Sequence, residues 1–466
     1  MSKFVNRIEE LAELEKLFKI KGKRLGIIYG RRRVGKSRLA LQSAFSSDMI
    51  VINFLCTTES ILKNVERFAE RIALAFEDYP PKITSFEEGF EVIKKRAKNQ
   101  NVIVIIDEFP YMIESDESIV SQFQYIYDIT LNETSIKLLL LGSSISMMIS
   151  EVLTYKSPLY GRRDIQLDLP ALNFSSIKEF FPNYSFLDQI LVYATLGGIP
   201  AYLEKFSANK TLKENIIENF LSNTSYFFAE GEFLLKEEFR DIHSYQQILN
   251  ALTKTTKHSE IANLTGKNTT DLPRYLDKLM ELRLVKREQP ILGKTRKTHY
   301  YIADNFLDFW YTFIYPNREL INEFQKDYVE NKIFQDLHTF AGRKFEQVAQ
   351  EFLLRLSKLG KTPFQILQVG RHWGKIKKNN KTLEVEIDIV ALNKPEKKIL
   401  FVECKLQRTI TQKIMIDLKQ KSEILPKNEW NVHFACIGRD STYQPDDREF
   451  VWTFEDMISI FYQEIV

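Results

Sequence analysis

The run Gly30-Arg31-Arg32-Arg33-Val34-Gly35-Lys36-Ser37 satisfies G-x-x-x-x-G-K-[ST]. It stands between an apolar run that reads as a strand, Leu25–Tyr29, and a stretch that reads as a helix, Arg38–Phe45. This spacing suits the grip of a phosphate chain. The glycines let backbone N–H groups curl around an anion at a helix N-terminus, where aligned peptide dipoles favour negative charge. Lys36 then reaches the β and γ phosphates, and the Ser37 hydroxyl ligates Mg²⁺. The candidate nucleotide contacts are therefore Gly30, Arg31, Arg32, Arg33, Val34, Gly35, Lys36, Ser37 and Arg38. The rival reading is a glycine-rich turn with no ligand.

The apolar run Val102–Ile106 ends in Asp107-Glu108, which puts two acids at the carboxyl edge of a strand, the side on which open α/β sheets bind ligands. Asp107 suits a Mg²⁺ held through water. Glu108 suits the group that orients or deprotonates an attacking water, the step that separates hydrolysis from binding. Such a pair also serves as a helix cap. The run Ile136–Leu141 leads into Gly142-Ser143-Ser144, so Ser143 or Ser144 senses a γ-phosphate or the lytic water, unless these hydroxyls are plain N-caps. Arg162 or Arg163 offers a guanidinium for transition-state charge, in its own subunit or a neighbour's, with a surface ion pair as the alternative.

A third group lies near the C-terminus. Glu384, Glu386 and Asp388 alternate on one predicted strand and share a face, as do Glu403 and Lys405 at the end of the next. Asp388 and Glu403, with Glu346 from the preceding helix, suit a Mg²⁺ site for phosphodiester cleavage, in which Lys405 steadies the hydroxide or the scissile phosphate. Asp388 sits among Ile387, Ile389 and Val390, and Glu403 follows Phe401-Val402, where a carboxylate costs energy without a cation. The rival is a salt-bridged surface of paired strands. The spacing resembles the PD-(D/E)xK nuclease pattern over roughly Ala341 to Ile437, although Val385-Glu386-Ile387-Asp388 lacks the proline. Arg371, Lys375, Lys377, Lys378 and Lys381, with Trp373 interleaved, fall in a predicted turn that either grips a phosphate backbone or is a solvated loop.

The elements that must position these groups read as several units, because 466 residues exceed what one core usually organises. Over 1–170, short β-type runs (Leu25–Tyr29, Ile50–Leu55, Val102–Ile106, Ile136–Leu141, Asp164–Leu169) alternate with helical stretches, the pattern of a parallel sheet covered on both faces. Residues 171–238 read as a helical lid. Residues 239–305 give three helices (Ser244–Thr253, Ser259–Leu264, Thr269–Met280) and a hairpin (Leu284–Arg287, His299–Ile302), the winged-helix order, with Lys286, Arg287, Lys294, Arg296 and Lys297 in the wing. An aromatic connector, 306–335, leads to an α/β unit over 336–466: helix Thr339–Leu359, strands Phe364–Val369, Glu384–Ala391 and Lys398–Cys404, helix Thr409–Leu425, strand Asn431–Ile437.

Composition excludes several classes. Hydrophobic residues at 44% and charged at 27%, with 17 Gly and 14 Pro, exclude a collagen-like or disordered chain. Basic residues number 65 against 62 acids, a net charge of +3, so any nucleic-acid surface is local. Cys56, Cys404 and Cys436 are too scattered for a disulfide framework, and the six histidines show no metal-ligand spacing. No apolar run reaches the roughly 18 residues of a membrane span, so no membrane partner and a cytoplasmic location are expected.

Taken with Phe4-Val5-Asn6-Arg7, Ser157-Pro158-Leu159-Tyr160-Gly161-Arg162 and Gly197-Gly198-Ile199-Pro200, the phosphate loop and Asp107-Glu108-Phe109 resemble the archaeal-type ATPase family, of the STAND branch of AAA-like P-loop ATPases. The resemblance covers about the first half of the chain and implies that Phe4 to Arg7 and Pro200 border the adenine. The whole arrangement resembles the subgroup with a nuclease-like C-terminal domain of the DUF234 type. The expected fold class is α/β: a P-loop parallel sheet with a helical lid, a winged-helix domain and a C-terminal restriction-endonuclease-like domain. The expected function is an ATP- and Mg²⁺-dependent ATPase whose nucleotide state repositions the later modules on DNA or another nucleic acid. The alternatives are a nucleotide-switched scaffold, forming nucleotide-dependent homo-oligomers, or a DNA-binding regulator, either with a silent C-terminal site.

Overall fold

A computed structural model describes residues 4–98, 100–239, 241–292, 298–323, 325–378, 381–424 and 430–462. The chain divides into two compact units, Met1–Leu172 with Ile199–Ala201, and Asn173–Gly198 with Tyr202–Val466.

The first unit is built on β1 (Arg24–Tyr29), β2 (Ile50–Leu55), β3 (Val102–Asp107), β4 (Lys137–Gly142) and β5 (Ile165–Asp168). They pair in parallel in the order β2-β3-β4-β1-β5. Every residue of β3 and β4 is buried, which is why these strands are unbroken apolar runs instead of alternating ones. Helices Ile61–Phe76 and Phe86–Ala97 start at Ser60 and Ser85, whose side chains accept from the N–H groups of Lys63 and Glu88. Their apolar faces bring Phe68, Phe86 and Phe90 together with Phe54, Phe109 and Phe123, the ring centroids 5.0 to 6.0 Å apart. In register, Tyr29 stands opposite Gly142 and Leu55 opposite Asp107, so the carboxyl ends of β1, β3 and β4 finish on one edge. Among the described residues, no helix is long and apolar enough to cross a membrane.

The second unit opens with helices around an aromatic core in which Tyr202, Phe220, Phe227, Phe306 and Phe309 pack ring on ring. Trp310 is fully buried, and its Nε1 donates to the carbonyls of Phe227 and Phe228 at 2.9 and 3.2 Å. Trp310→Ala is therefore expected to cost about 3–5 kcal/mol. A urea titration should show the transition of this unit at lower denaturant, and an unmoved midpoint would contradict the packing described.

Next come helices Ile242–Leu252, His258–Thr265 and Leu272–Glu281 and an antiparallel pair, β6 (Val285–Glu288) and β7 (His299–Ile302). Pro273 falls in the first turn of the third helix. Of the wing cations, Lys286 pairs with Glu288 at 2.6 Å, and Lys294, Arg296 and Lys297 lie outside the described residues.

The last part is a five-stranded mixed sheet of β8 (Gln368–Lys378), β9 (Lys381–Asn393), β10 (Lys398–Lys405), β11 (Asn431–Gly438) and β12 (Glu449–Trp452), in the order β12-β11-β10-β9-β8. It corrects three expectations. The helix expected from Thr339 runs from Lys326 to Lys358, continuous through a polar stretch. Of the expected strand Phe364–Val369 only Gln368 and Val369 are strand; they open β8, which runs on through the expected turn as far as Lys378 and pairs antiparallel with β9. As an edge strand β8 has one neighbour and little apolar pattern, so Arg371 to Lys378 read as loop. Strand β12 and the helix Phe454–Tyr462 add to the expected order.

Candidate active site

The phosphate loop leaves β1 at Gly30, whose φ is +152° and where a Cβ would fall 2.4 Å from the Leu169 carbonyl oxygen, so only glycine fits. Arg33 and Gly35 are left-handed (φ +69° and +96°), which curls the chain before the helix Lys36–Phe45 starts with no side-chain cap. The Lys36 ammonium is buried at 5% exposure and donates back across the loop to the carbonyls of Gly30 and Arg31 at 2.9 and 3.1 Å. The Ser37 hydroxyl hydrogen-bonds the Asp107 carboxylate. Burial raises the Asp107 pKa; the Ser37 bond and Lys36 oppose that rise, and Glu108 adds to it.

Glu108 stands at the N-cap position of the helix Phe109–Ser115 in a left-handed conformation, φ +54°, but its side chain makes no cap hydrogen bond. Its carboxylate accepts from the Ser143 hydroxyl at 2.6 Å and the Ser143 N–H at 3.2 Å. Arg32 Nε approaches the Ser143 oxygen at 3.4 Å, and Arg32 also donates to the Tyr111 hydroxyl. Lys36, Ser37, Asp107, Glu108 and Ser143 thus meet at the tips of three adjacent strands. Arg38 lies with its guanidinium 5.8 Å from the Phe4 ring centroid.

Arg7 belongs to the opening segment that the family resemblance sets beside the adenine, and its contacts include the phosphate loop. It is buried, donates to the Val34 carbonyl at 3.3 Å and to the Pro170 carbonyl, and pairs with Glu10 at 3.1 Å. It therefore ties the opening segment to the phosphate loop. Burial lowers its pKa, against the pull of Glu10. Pro200 opens the short helix Pro200–Leu203 and groups with this unit. Arg162 is fully engaged: Nε and Nη2 hold the Asp128 carboxylate at 2.7 to 2.9 Å and Nη1 donates to the Pro158 carbonyl at 2.7 Å. Arg163 reaches the Leu153 carbonyl at 3.4 Å.

In the C-terminal sheet the β9–β10 pairing ends at Ile389 opposite Val402. Beyond that point the strands part, and the Asp388 carboxylate accepts from the Cys404 N–H at 2.8 Å. Glu403 is buried, with Lys405 Nζ 2.6 Å from Oε1 and Lys421 Nζ 3.0 and 2.9 Å from its two oxygens. Burial and then Glu403 raise the Asp388 pKa, against the Cys404 N–H and the two lysines. Burial would lower the Lys405 pKa, but Glu403 and Asp388 leave it raised. Lys421 had no sequence motif to announce it; the only signal was a basic last turn on the helix after β10.

Glu346, on the long helix, is pushed up to about 8 by burial, which Asp388, Glu386 and Glu288 reinforce against Arg371. Arg371 Nε lies 3.2 Å from Glu346, and Arg371 also pairs with Glu386, while the exposed Glu384 faces Lys375 at 3.3 Å. Of the three alternating acids, Asp388 is the one whose pKa the neighbouring Glu403 charge raises. Among the described residues no three His, Cys, Asp or Glu groups are arranged to hold a metal ion, so Glu346 does not join Asp388 and Glu403 as a preformed cage.

Comparison with known proteins agrees with this layout. A family model for an ATPase domain predominantly from Archaea matches residues 4–206, and a second, described as "Archaea bacterial proteins of unknown function", matches residues 310–417. An uncharacterized protein of Methanocaldococcus jannaschii is 37% identical over 449 residues, covering 94% of this chain and 95% of its own length. Among solved structures, the Walker-type ATPase of Pyrococcus abyssi aligns over 66% of this chain and 96% of its own at 18% identity and a TM-score of 0.48. ORC1 of Aeropyrum pernix, solved in complex with DNA, aligns over 70% and 95% at 14% identity and a TM-score of 0.35. With a relative matched along nearly its whole length and both halves recognised, the chain belongs to the archaeal P-loop ATPase family whose members carry a DUF234-type C-terminal region.

Proposed function

We propose that the chain binds ATP with Mg²⁺ at residues 30–37, hydrolyses it, and uses the nucleotide state to control its winged-helix and nuclease-like parts on DNA or another nucleic acid. The observation that carries this reading is the meeting of Lys36, the Ser37–Asp107 pair and the Ser143–Glu108 pair at three strand tips. These residues fit a magnesium nucleotide. The looped backbone and Lys36 suit the phosphates, Ser37 and the buried Asp107 suit the cation, and Glu108, held by two donors, suits a water-orienting base. Mg²⁺ would supply neutralisation of the phosphate oxygens. The domain division we adopt is 1–170, 171–238, 239–304, 305–325 and 326–466, which moves the last two expected boundaries, 305/306 and 335/336, to the starts of the helices Asn305–Phe309 and Lys326–Lys358.

Glu108→Gln keeps the hydrogen bonds to Ser143 in reach but removes the base. It is expected to bind ATP as the parent does and to release phosphate about 10²–10⁴ times more slowly. Phosphate release at saturating ATP, with binding followed separately, checks this; turnover equal to the parent's would remove Glu108 from the chemistry.

For the C-terminal part, Asp388 and Glu403 would hold a divalent cation and Lys405 would steady the phosphodiester. The support is a pair of buried carboxylates at a strand split, one raising the other's pKa. The scaffold reading draws on a different observation: both oxygens of Glu403 are already held by lysines, which neutralise it without a metal.

A further inference from the structure

We propose that Arg32 is a positioning residue for hydrolysis: held by the Tyr111 hydroxyl, its guanidinium turns the Ser143 hydroxyl onto one oxygen of Glu108 and leaves the other oxygen to take the proton of the attacking water. The inference rests on the assignment of Glu108 as the base and adds the residues that aim it.

The direction of each hydrogen bond in this relay follows from the groups themselves. Arg32 Nε can only donate, and it lies 3.4 Å from the Ser143 hydroxyl oxygen. An ionised Glu108 can only accept, and its Oε2 lies 2.6 Å from that same hydroxyl oxygen. Ser143 therefore accepts from Arg32 and gives its one proton to Glu108. Without a donor at its lone pair, the hydroxyl rotates to suit other partners. The Ser143 N–H also donates to Oε2, at 3.2 Å, so both bonds fall on one carboxylate oxygen. Among the described residues, Oε1 receives no hydrogen bond. A carboxylate anchored at one oxygen and open at the other is arranged as a base. The water proton passes to Oε1 as the water oxygen bonds the γ-phosphorus and the bond to ADP breaks.

Arg32 is itself held from a second side. Its Nη2 donates to the Tyr111 hydroxyl, and the guanidinium carbon lies 5.8 Å from the Tyr111 ring centroid. Tyr111 stands in the first turn of the helix Phe109–Ser115, and its N–H donates to the Glu108 carbonyl at 3.0 Å. Arg32, Tyr111, Glu108 and Ser143 thus close a ring that joins the phosphate loop to the tips of β3 and β4. Ser143 is buried, so little water competes for its hydroxyl. The ring needs a fork: Nε serves Ser143 while Nη2 serves Tyr111, and the single nitrogen of a lysine replaces one bond but not both. A residue with this role acts on turnover at saturating ATP and little on affinity, the reverse of a phosphate contact, which is what its place in the loop suggests.

The test is phosphate release by the full chain at saturating ATP with Mg²⁺, with ATP affinity measured separately by calorimetry. Arg32→Ala should lower kcat by about ten- to a hundredfold. Its ATP affinity should stay within about twofold of the parent's. Arg32→Lys should recover part of the lost turnover, and Tyr111→Phe should show a smaller loss of the same kind. Added to Glu108→Gln, Arg32→Ala should cost nothing further, because a residue that acts through Glu108 has no base left to aim. Melting curves show which variants fold; if Arg32→Ala does not, Arg32→Lys and Tyr111→Phe carry the same comparison. Parental turnover in Arg32→Ala, weaker ATP binding with kcat unchanged, or a full further loss on top of Glu108→Gln would overturn the role of Arg32 and leave Glu108 as the base. A Glu108→Gln chain as active as the parent would instead remove the reading on which the inference rests.

Discussion

Lys36→Ala should lower ATP turnover by about a thousandfold, the upper end of what removing one preorganised donor costs. The ammonium is almost wholly buried, and two loop carbonyls hold it across the curve of the phosphate loop. In that desolvated place its attraction for a developing charge between the β and γ phosphates is far stronger than at a surface. Alanine also leaves the Gly30 and Arg31 carbonyls without their donor, a loss of about 1 kcal/mol for each hydrogen bond, so part of the effect is a looser loop. Lys36→Met, which keeps most of the stem, separates the two contributions. If turnover depends on charge, both variants are equally inactive while Met melts closer to the parent. Phosphate release in either variant within a few-fold of the parent's would refute the role of Lys36.

The second large effect is expected at the other end of the chain. Asp388→Ala and Lys405→Ala should each reduce Mg²⁺- or Mn²⁺-dependent cleavage of nucleic acid by at least about a hundredfold. The two act differently. Asp388 is one of two carboxylates that raise the local demand for a cation, so its loss should weaken metal binding measured by calorimetry. Lys405 sits against Glu403, so its loss should leave metal binding intact or tighter while cleavage falls. Cleavage of a panel of DNA and RNA forms, with and without ATP, reads both. A parent chain that leaves every substrate whole, with Asp388→Ala indistinguishable from it, favours the scaffold reading, in which Lys405 and Lys421 serve as permanent counter-ions.

Much of the first unit was legible because its constraints are local. A glycine that must approach the Leu169 carbonyl, a lysine and a serine at fixed offsets, and strands buried on both faces leave few alternatives. The hydroxyl at Ser143 was legible as a strand-tip residue, but its attachment to Glu108 was not, since that follows from β3 and β4 being neighbours. Arg7 was legible as a nucleotide-bordering residue only through the family resemblance, and its partners at Val34 and Pro170 were not, being distant in sequence. Lys421 likewise meets Glu403 only through the packing of a helix on β10. Strand β8 was misread because an edge strand need satisfy one partner and one buried face, which leaves its sequence polar and weakly patterned. The residues expected to grip a phosphate backbone in a turn are instead strand residues, and Arg371 is committed to Glu346 and Glu386.

Calorimetric titration of the parent chain with ATP in the presence of Mg²⁺ bears most directly on residues 30–37. The expected result is saturable binding of one nucleotide per chain, abolished in Lys36→Ala and weakened when Mg²⁺ is withdrawn. No binding by a folded parent chain, or equal binding by parent and Lys36→Ala, would contradict it.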